Sequence, residues 1–158
     1  MVREEDLVLV SVRQPGRTPA QLQFDYWTAF RDLLLSRRHF LNPPEPKAQR
    51  YMVLETIRGC RLASSLHIKD SQIWVDLTFG RNSKKYFERF ERDSDSIEKE
   101  IGAELEWVPR SGAVESWILI RKRADLTDLD DWKLQHKWLC EKLEKFSRTF
   151  RPRLMKLR

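Results

Sequence analysis

Gln72-Ile73-Trp74-Val75-Asp76-Leu77-Thr78-Phe79 is the stretch from which the fold can be read. Successive side chains of a strand point to opposite faces. Ile73, Val75, Leu77 and Phe79 therefore share one side, and Trp74, Asp76 and Thr78 the other. One side is apolar throughout, so the strand should cover a core. Upstream, Arg61 to Ile68 reads as a second strand ended by Lys69-Asp70-Ser71. Tyr51 to Ile57 reads as another, ended by Arg58-Gly59. Connections this short join antiparallel strands, so the three predict a meander.

Helices flank it. Gly80-Arg81-Asn82-Ser83 closes the meander, and Asn82 or Ser83 can cap a helix carrying Phe87, Phe90, Ile97 and Ile101. Asp93-Ser94-Asp95 has low helix propensity and predicts a local distortion there. Gly102 is a natural stop. Leu105 to Val108 and Val114 to Arg121 form a hairpin around Arg110-Ser111-Gly112. Thr127 or Asp128 caps the last helix, whose stripe is Trp132, His136, Leu139, Leu143, Phe146 and Phe150. Pro152 is expected to end or kink it just after Phe150. On the N-terminal side, Thr18-Pro19-Ala20-Gln21 spells a capping box with proline at the first helical position. Leu22, Tyr26, Trp27, Phe30, Leu33 and Leu34 follow at helical spacing. Asn42-Pro43-Pro44-Glu45-Pro46 must be a loop. Leu7 to Val12 is a short β-rich run.

The order is β-α-β-β-β-α-β-β-α. This predicts an α+β fold: an antiparallel sheet, made of a three-stranded meander plus a hairpin, packed against two to three helices. Residues 1–17 form an N-terminal strand or arm and 18–158 a single domain. A chain of 158 residues with 41% hydrophobic content can bury a core without staples. Its two cysteines, Cys60 and Cys140, cannot form a disulfide framework or a four-cysteine zinc site. No apolar run is long enough for a membrane span, and no secretory leader opens the chain. A cytoplasmic protein with no membrane contact is expected.

Chemistry-bearing motifs are sparse. The sequence has no glycine-rich phosphate loop, no HExxH and no CxxC. His39, His67 and His136 belong to different elements, so neither a metal site nor a cofactor is expected. Two acidic-x-Lys triplets, Glu45-Pro46-Lys47 and Asp131-Trp132-Lys133, loosely suit a magnesium nuclease. Neither lies on a strand, and both are rejected. His136 sits on an apolar stripe and reads as a structural imidazole.

The net charge of +6 invites an anionic partner. The charge is polarised. Lys145, Arg148, Arg151, Arg153, Lys156 and Arg158 close the chain with no acid among them, while acids concentrate at 88–100 and 125–131. Such a row can neutralise phosphates, so Lys145, Arg148, Arg151, Arg153 and Lys156 are candidate nucleic-acid contacts. Arg37-Arg38, Lys84-Lys85 and Arg121-Lys122-Arg123 could extend the patch. Trp74 and Trp138 fall on the less apolar sides of their elements and are candidates for base stacking or a protein interface, the alternative being that Trp74, with Asp76 and Thr78, sits under a helix.

The pattern resembles a known family. Tyr26-Trp27-x-x-Phe30, Phe87 with Ile97-Glu98 and Gly102, and Leu105-Glu106-Trp107 carry the likeness. So do Asp131-Trp132, His136, Trp138-Leu139, Leu143-Glu144, Phe146, Phe150 and Arg151-Pro152-Arg153. Over about Leu22 to Leu157 the chain is similar to the bacterial and archaeal domain-of-unknown-function family four-two-six-eight. In that family the domain often follows a restriction-endonuclease-like nuclease domain or stands alone. The resemblance implies a DNA-processing or antiviral-defence setting, and no catalytic residues. The segment ahead of Leu22 leaves no room for a nuclease domain, so the Leu7 to Val12 strand is an extra or the remnant of a longer parent chain.

Three readings follow. The first is a non-catalytic accessory module that binds DNA or RNA, or docks a nuclease or other defence-system protein, through its basic C-terminal helix. The second is a protein-interaction or homodimerisation domain using Trp74, Trp138 and the sheet face. The third is a cryptic metal-dependent nuclease.

Overall fold

The computed structural model of the chain describes residues 16–37, 41–110 and 114–157. Helix α1 spans Pro19–Ser36. Its capping box is present in both directions: the Thr18 hydroxyl accepts from the Gln21 amide at 3.1 Å, and the Gln21 side chain accepts from the Thr18 amide at 2.9 Å. Strands β1 (Tyr51–Ile57), β2 (Cys60–His67) and β3 (Gln72–Phe79) form the expected meander. The β1–β2 turn, Arg58-Gly59, holds both residues at positive φ, as a two-residue hairpin requires. Helices α2 (Lys84–Arg92) and α3 (Ser94–Ile101) replace one longer helix, broken at Asp93 where low propensity predicts a distortion. Gly102 ends α3 at φ 82°. Strands β4 (Glu106–Val108) and β5 (Ser116–Arg123) pair as a hairpin, and helix α4 spans Trp132–Lys156.

The five strands are antiparallel in the order β1-β2-β3-β5-β4. The fold is therefore α+β, as expected. The hairpin enters with its second strand, so β3 is central and the short β4 takes the edge. Ile73, Val75, Leu77 and Phe79 are all at most 1% exposed and belong to one core with residues from all four helices. Burying four such side chains stabilises the fold by about 1.5–3 kcal/mol each.

Two expectations need correction. Neither Thr127 nor Asp128 caps α4: a 3₁₀ turn over Leu129–Asp131 leads into it, and no side chain caps the start. Thr127 instead closes a local turn on the Asp125 carboxylate, and the Asp131 carboxylate accepts from Gln135 at 3.0 Å. Pro152 does not end the helix, which runs on to Lys156. Leu154 is fully buried and anchors the last turn, and the Arg58 guanidinium bonds the Leu154 and Leu157 carbonyls while lying over the Tyr86 ring. These contacts offset the hydrogen bond that proline removes. The Leu7 to Val12 strand and most of the Arg110-Ser111-Gly112 turn lie outside the described residues.

His136 is 4% exposed, against the rings of Tyr26, Phe30 and Trp132. Burial pushes its imidazole down to about 3, although a hydrogen bond to the Tyr26 backbone works the other way. The folded state thus holds it neutral, while the unfolded chain protonates it near its ordinary value. This contribution to stability is complete above about pH 6.5 and is lost as the pH falls toward 3. His136→Asn should lower stability at pH 7 by about 1–3 kcal/mol, the cost of disturbing a buried polar group. Urea unfolding near pH 7 and pH 5 should show the wild-type protein losing more stability on acidification than the variant. Equal losses would mean that the imidazole is not the acid-sensitive group.

Candidate functional site

The helices lie on one side of the sheet. The other side is built by the remaining half of each strand. Register sets three rows across it: Arg61-Thr78-Trp117, Ala63-Asp76-Leu119 and Ser65-Trp74-Arg121. Ala63 and Leu119 are buried, yet stand apart from the main core cluster. Among the described residues, no helix packs against this face. It holds a depression of about 400 Å³ whose lining includes Arg50, Tyr51, His67, Trp74, Asp76 and Trp117.

Flat groups dominate its walls. The His67 ring lies 4.1 Å from Trp74 with 35° between planes, and its Nε2 has no hydrogen-bond partner. Burial and the nearby Arg50 lower the His67 imidazole below its ordinary value, so it is neutral at pH 7. Arg121 sits over Trp74 at 5.7 Å and pairs with Glu106 at 2.7 Å. Arg110 sits over Trp117 at 5.2 Å, and Arg61 pairs with Glu115. Guanidinium groups stacked on indoles gain cation–π attraction through their faces, while their edges bond acceptors in the plane, as Arg121 does with Glu106.

The floor is acidic. Asp76 is 8% exposed. Its Oδ1 accepts from the Thr78 hydroxyl at 2.8 Å and its Oδ2 from the Ser65 hydroxyl at 3.1 Å. Burial raises the carboxyl to about 6, against the pull of those hydroxyls and of Arg61. The group is ionised at pH 7.

The residues singled out in the sequence fall on two sides of the molecule. Trp74 lies on the helix-free face. Trp138 is half-buried on α4 and packs against the core. The basic end of α4 belongs to the helical layer, and much of it is engaged internally. Lys145 donates to the Ile101 carbonyl at 3.2 Å, Arg151 pairs with Glu55, and Arg153 pairs with Glu100 at 3.1 Å. Arg148 and Lys156 are exposed and have no ion-pair partner among the described residues. Arg121 and Arg123 alternate onto the helix-free face, and Lys122, in register with Ile73, onto the helical side. Sequence reasoning does not find Trp117, His67 and Arg110. Their nearness to Trp74 depends on strand register and on the return of β5 beside β3.

No group of histidines, cysteines and carboxylates suited to a metal ion occurs among the described residues. No described helix is long and apolar enough to cross a membrane. The family described as Domain of unknown function (DUF4268) matches residues 22–154. The crystal structure of YbjN from E. coli is similar over 79% of this chain and 93% of that one, with 10% identity and a TM-score of 0.38. No curated protein matches the chain.

An ionised carboxylate that is only 8% exposed costs stability. Because the folded carboxyl titrates above its ordinary 3.8, that cost is complete above about pH 6 and is relieved as the pH falls. Asp76→Asn should therefore be more stable than wild type near pH 8 by about 1–3 kcal/mol, since each tenfold change in proton affinity is worth about 1.4 kcal/mol. The advantage should shrink near pH 4.5. Urea midpoints at the two pH values measure this, and a variant less stable at pH 8 would show that the charge itself holds the face together.

Proposed function

The chain belongs to the DUF4268 family, and we propose that it is a non-catalytic module that binds single-stranded nucleic acid on the helix-free face of its sheet. The observation that carries this reading is the pair of arginine–indole stacks, Arg121 on Trp74 and Arg110 on Trp117, beside the His67–Trp74 contact. Aromatic rings and guanidinium planes on an open sheet accept unpaired bases by stacking, whatever their sequence. Arginine edges meanwhile reach phosphates. Arg50, Arg61, Arg110, Arg121 and Arg123 outnumber the acids Asp70, Asp76, Glu106 and Glu115 around the face by one, which suits an anionic strand.

The family resemblance supports a DNA-processing or antiviral-defence setting, with a nuclease or another protein of that system as partner. A second reading keeps the basic end of α4 as the contact, favoured by the exposed Arg148 and Lys156. The sheet separates the two surfaces, so variants can tell them apart.

Fluorescence anisotropy with a labelled thymidine run of about fifteen nucleotides decides between them. If the strand gives up about four phosphate contacts, log affinity should fall against log salt with a slope near −3, from roughly −0.7 per contact. Trp74→Ala and Trp117→Ala should each weaken binding by about 1–3 kcal/mol, the worth of one stacked base. The pair Arg148→Ala and Lys156→Ala should leave it unchanged. Binding lost only in the α4 variant would move the contact to the helix. Absence of binding near 50 mM salt, together with concentration-dependent size, would make this a protein-interaction or homodimerisation domain.

A further inference from the structure

Asp76 is out of character on a surface made for a polyanion. It lies in the depression with two indoles, Arg50, Arg61 and a second acid, Glu115, at its rim. It is not required to neutralise Arg61 or Arg121, which pair with Glu115 and Glu106. Two hydroxyls hold it, Ser65 on one carboxylate oxygen and Thr78 on the other. An ionised carboxylate has about four lone-pair positions, so each oxygen keeps one for a ligand.

We infer that Asp76 reads guanine: a base stacked on Trp74 or Trp117 presents its Watson–Crick edge to the Asp76 carboxylate. This rests on the sheet face being a single-strand platform. Trp74 and Asp76 are two apart on β3 and Trp117 is diagonal to Asp76, about 7 Å along a strand, roughly the reach of a base from its stacking partner. A carboxylate offers two acceptors side by side. Guanine alone answers with two adjacent donors, N1–H and the N2 amino group. Cytosine and adenine set an acceptor nitrogen beside their amino group, and thymine has one N–H between two carbonyls. A cationic peptide side chain could also pair with Asp76, but the surrounding arginines repel it. Burial holds the carboxyl at about 6, so it is an acceptor near pH 8.

The test keeps the thymidine strand and replaces one central residue by dG, dA, dC or deoxyinosine, with the wild-type protein near pH 8. The dG strand should bind about tenfold tighter than the all-thymidine strand, within the range for a bidentate base contact. Strands with dA or dC should gain nothing. Deoxyinosine lacks the N2 amino group and should lose most of the gain. Asp76→Asn should abolish the difference between the dG and all-thymidine strands, both measured with that variant, whatever the loss of the negative charge does to the affinity they share. The inosine comparison needs no variant and stands even if Asp76→Asn folds poorly. If the thymidine strand binds and dG adds nothing, or its gain survives inosine, the guanine assignment is wrong and the platform stands. If no strand binds at all, the platform reading fails and takes the assignment with it.

Discussion

Each residue of β3 must choose a side, and most of this protein follows from that constraint. The strand is hydrogen-bonded to β2 on one edge and β5 on the other, so its register is fixed twice over. A slip by one residue would turn Ile73, Val75, Leu77 and Phe79 away from the helices and bring Trp74, Asp76 and Thr78 under them. The core and the candidate site are thus two faces of the same eight residues. A change that loosens the packing of Val75 or Leu77 also shifts the backbone that aims Trp74 and Asp76.

The helical layer meets the same demand with polar atoms inside it. Tyr26 of α1 donates to the Gln135 side chain at 2.9 Å, and Gln135 donates onward to the Asp125 carbonyl and the Asp131 carboxylate. Trp27 donates to the Gln49 carbonyl at 2.8 Å, and Trp132 to the Leu126 carbonyl at 2.8 Å. Both tryptophans therefore turn their indole N–H onto connecting loops, while Tyr26 reaches the loop at Asp125 through Gln135 of α4. Those loops are held in place without regular structure of their own.

Much of the fold is legible from local chemistry. The capping box at Thr18, the alternation in β3, the break near Asp93 and the stop at Gly102 each act within a few residues, so their signals lie in contiguous sequence. Local rules fail where distant residues decide. Local rules have Pro152 end or kink a helix, and it is Leu154 in the core and Arg58 from the β1–β2 turn that carry α4 past it. The basic end resembles a free cationic row in sequence because Glu55, Glu100 and the Ile101 carbonyl, which occupy three of its members, lie far away along the chain. Trp74 can be singled out from alternation alone. Trp117 cannot join it until β5 is known to lie beside β3, because a hairpin pattern does not say which of its strands enters the sheet.

The position of α4 in the chain has a consequence for how the molecule is made. This helix packs on β1, β2 and β3 and on α1, and its stripe from Leu139 to Leu154 supplies much of the core. Synthesis runs from the N-terminus, so every strand leaves the ribosome before the helix that covers it. Until then the apolar face of the meander is covered only in part, by the three helices that precede α4 in the chain. Nascent chains in that state are prone to stick to one another and are natural clients for chaperones. The sheet can form early, but native packing must wait for α4, whose apolar stripe completes the core.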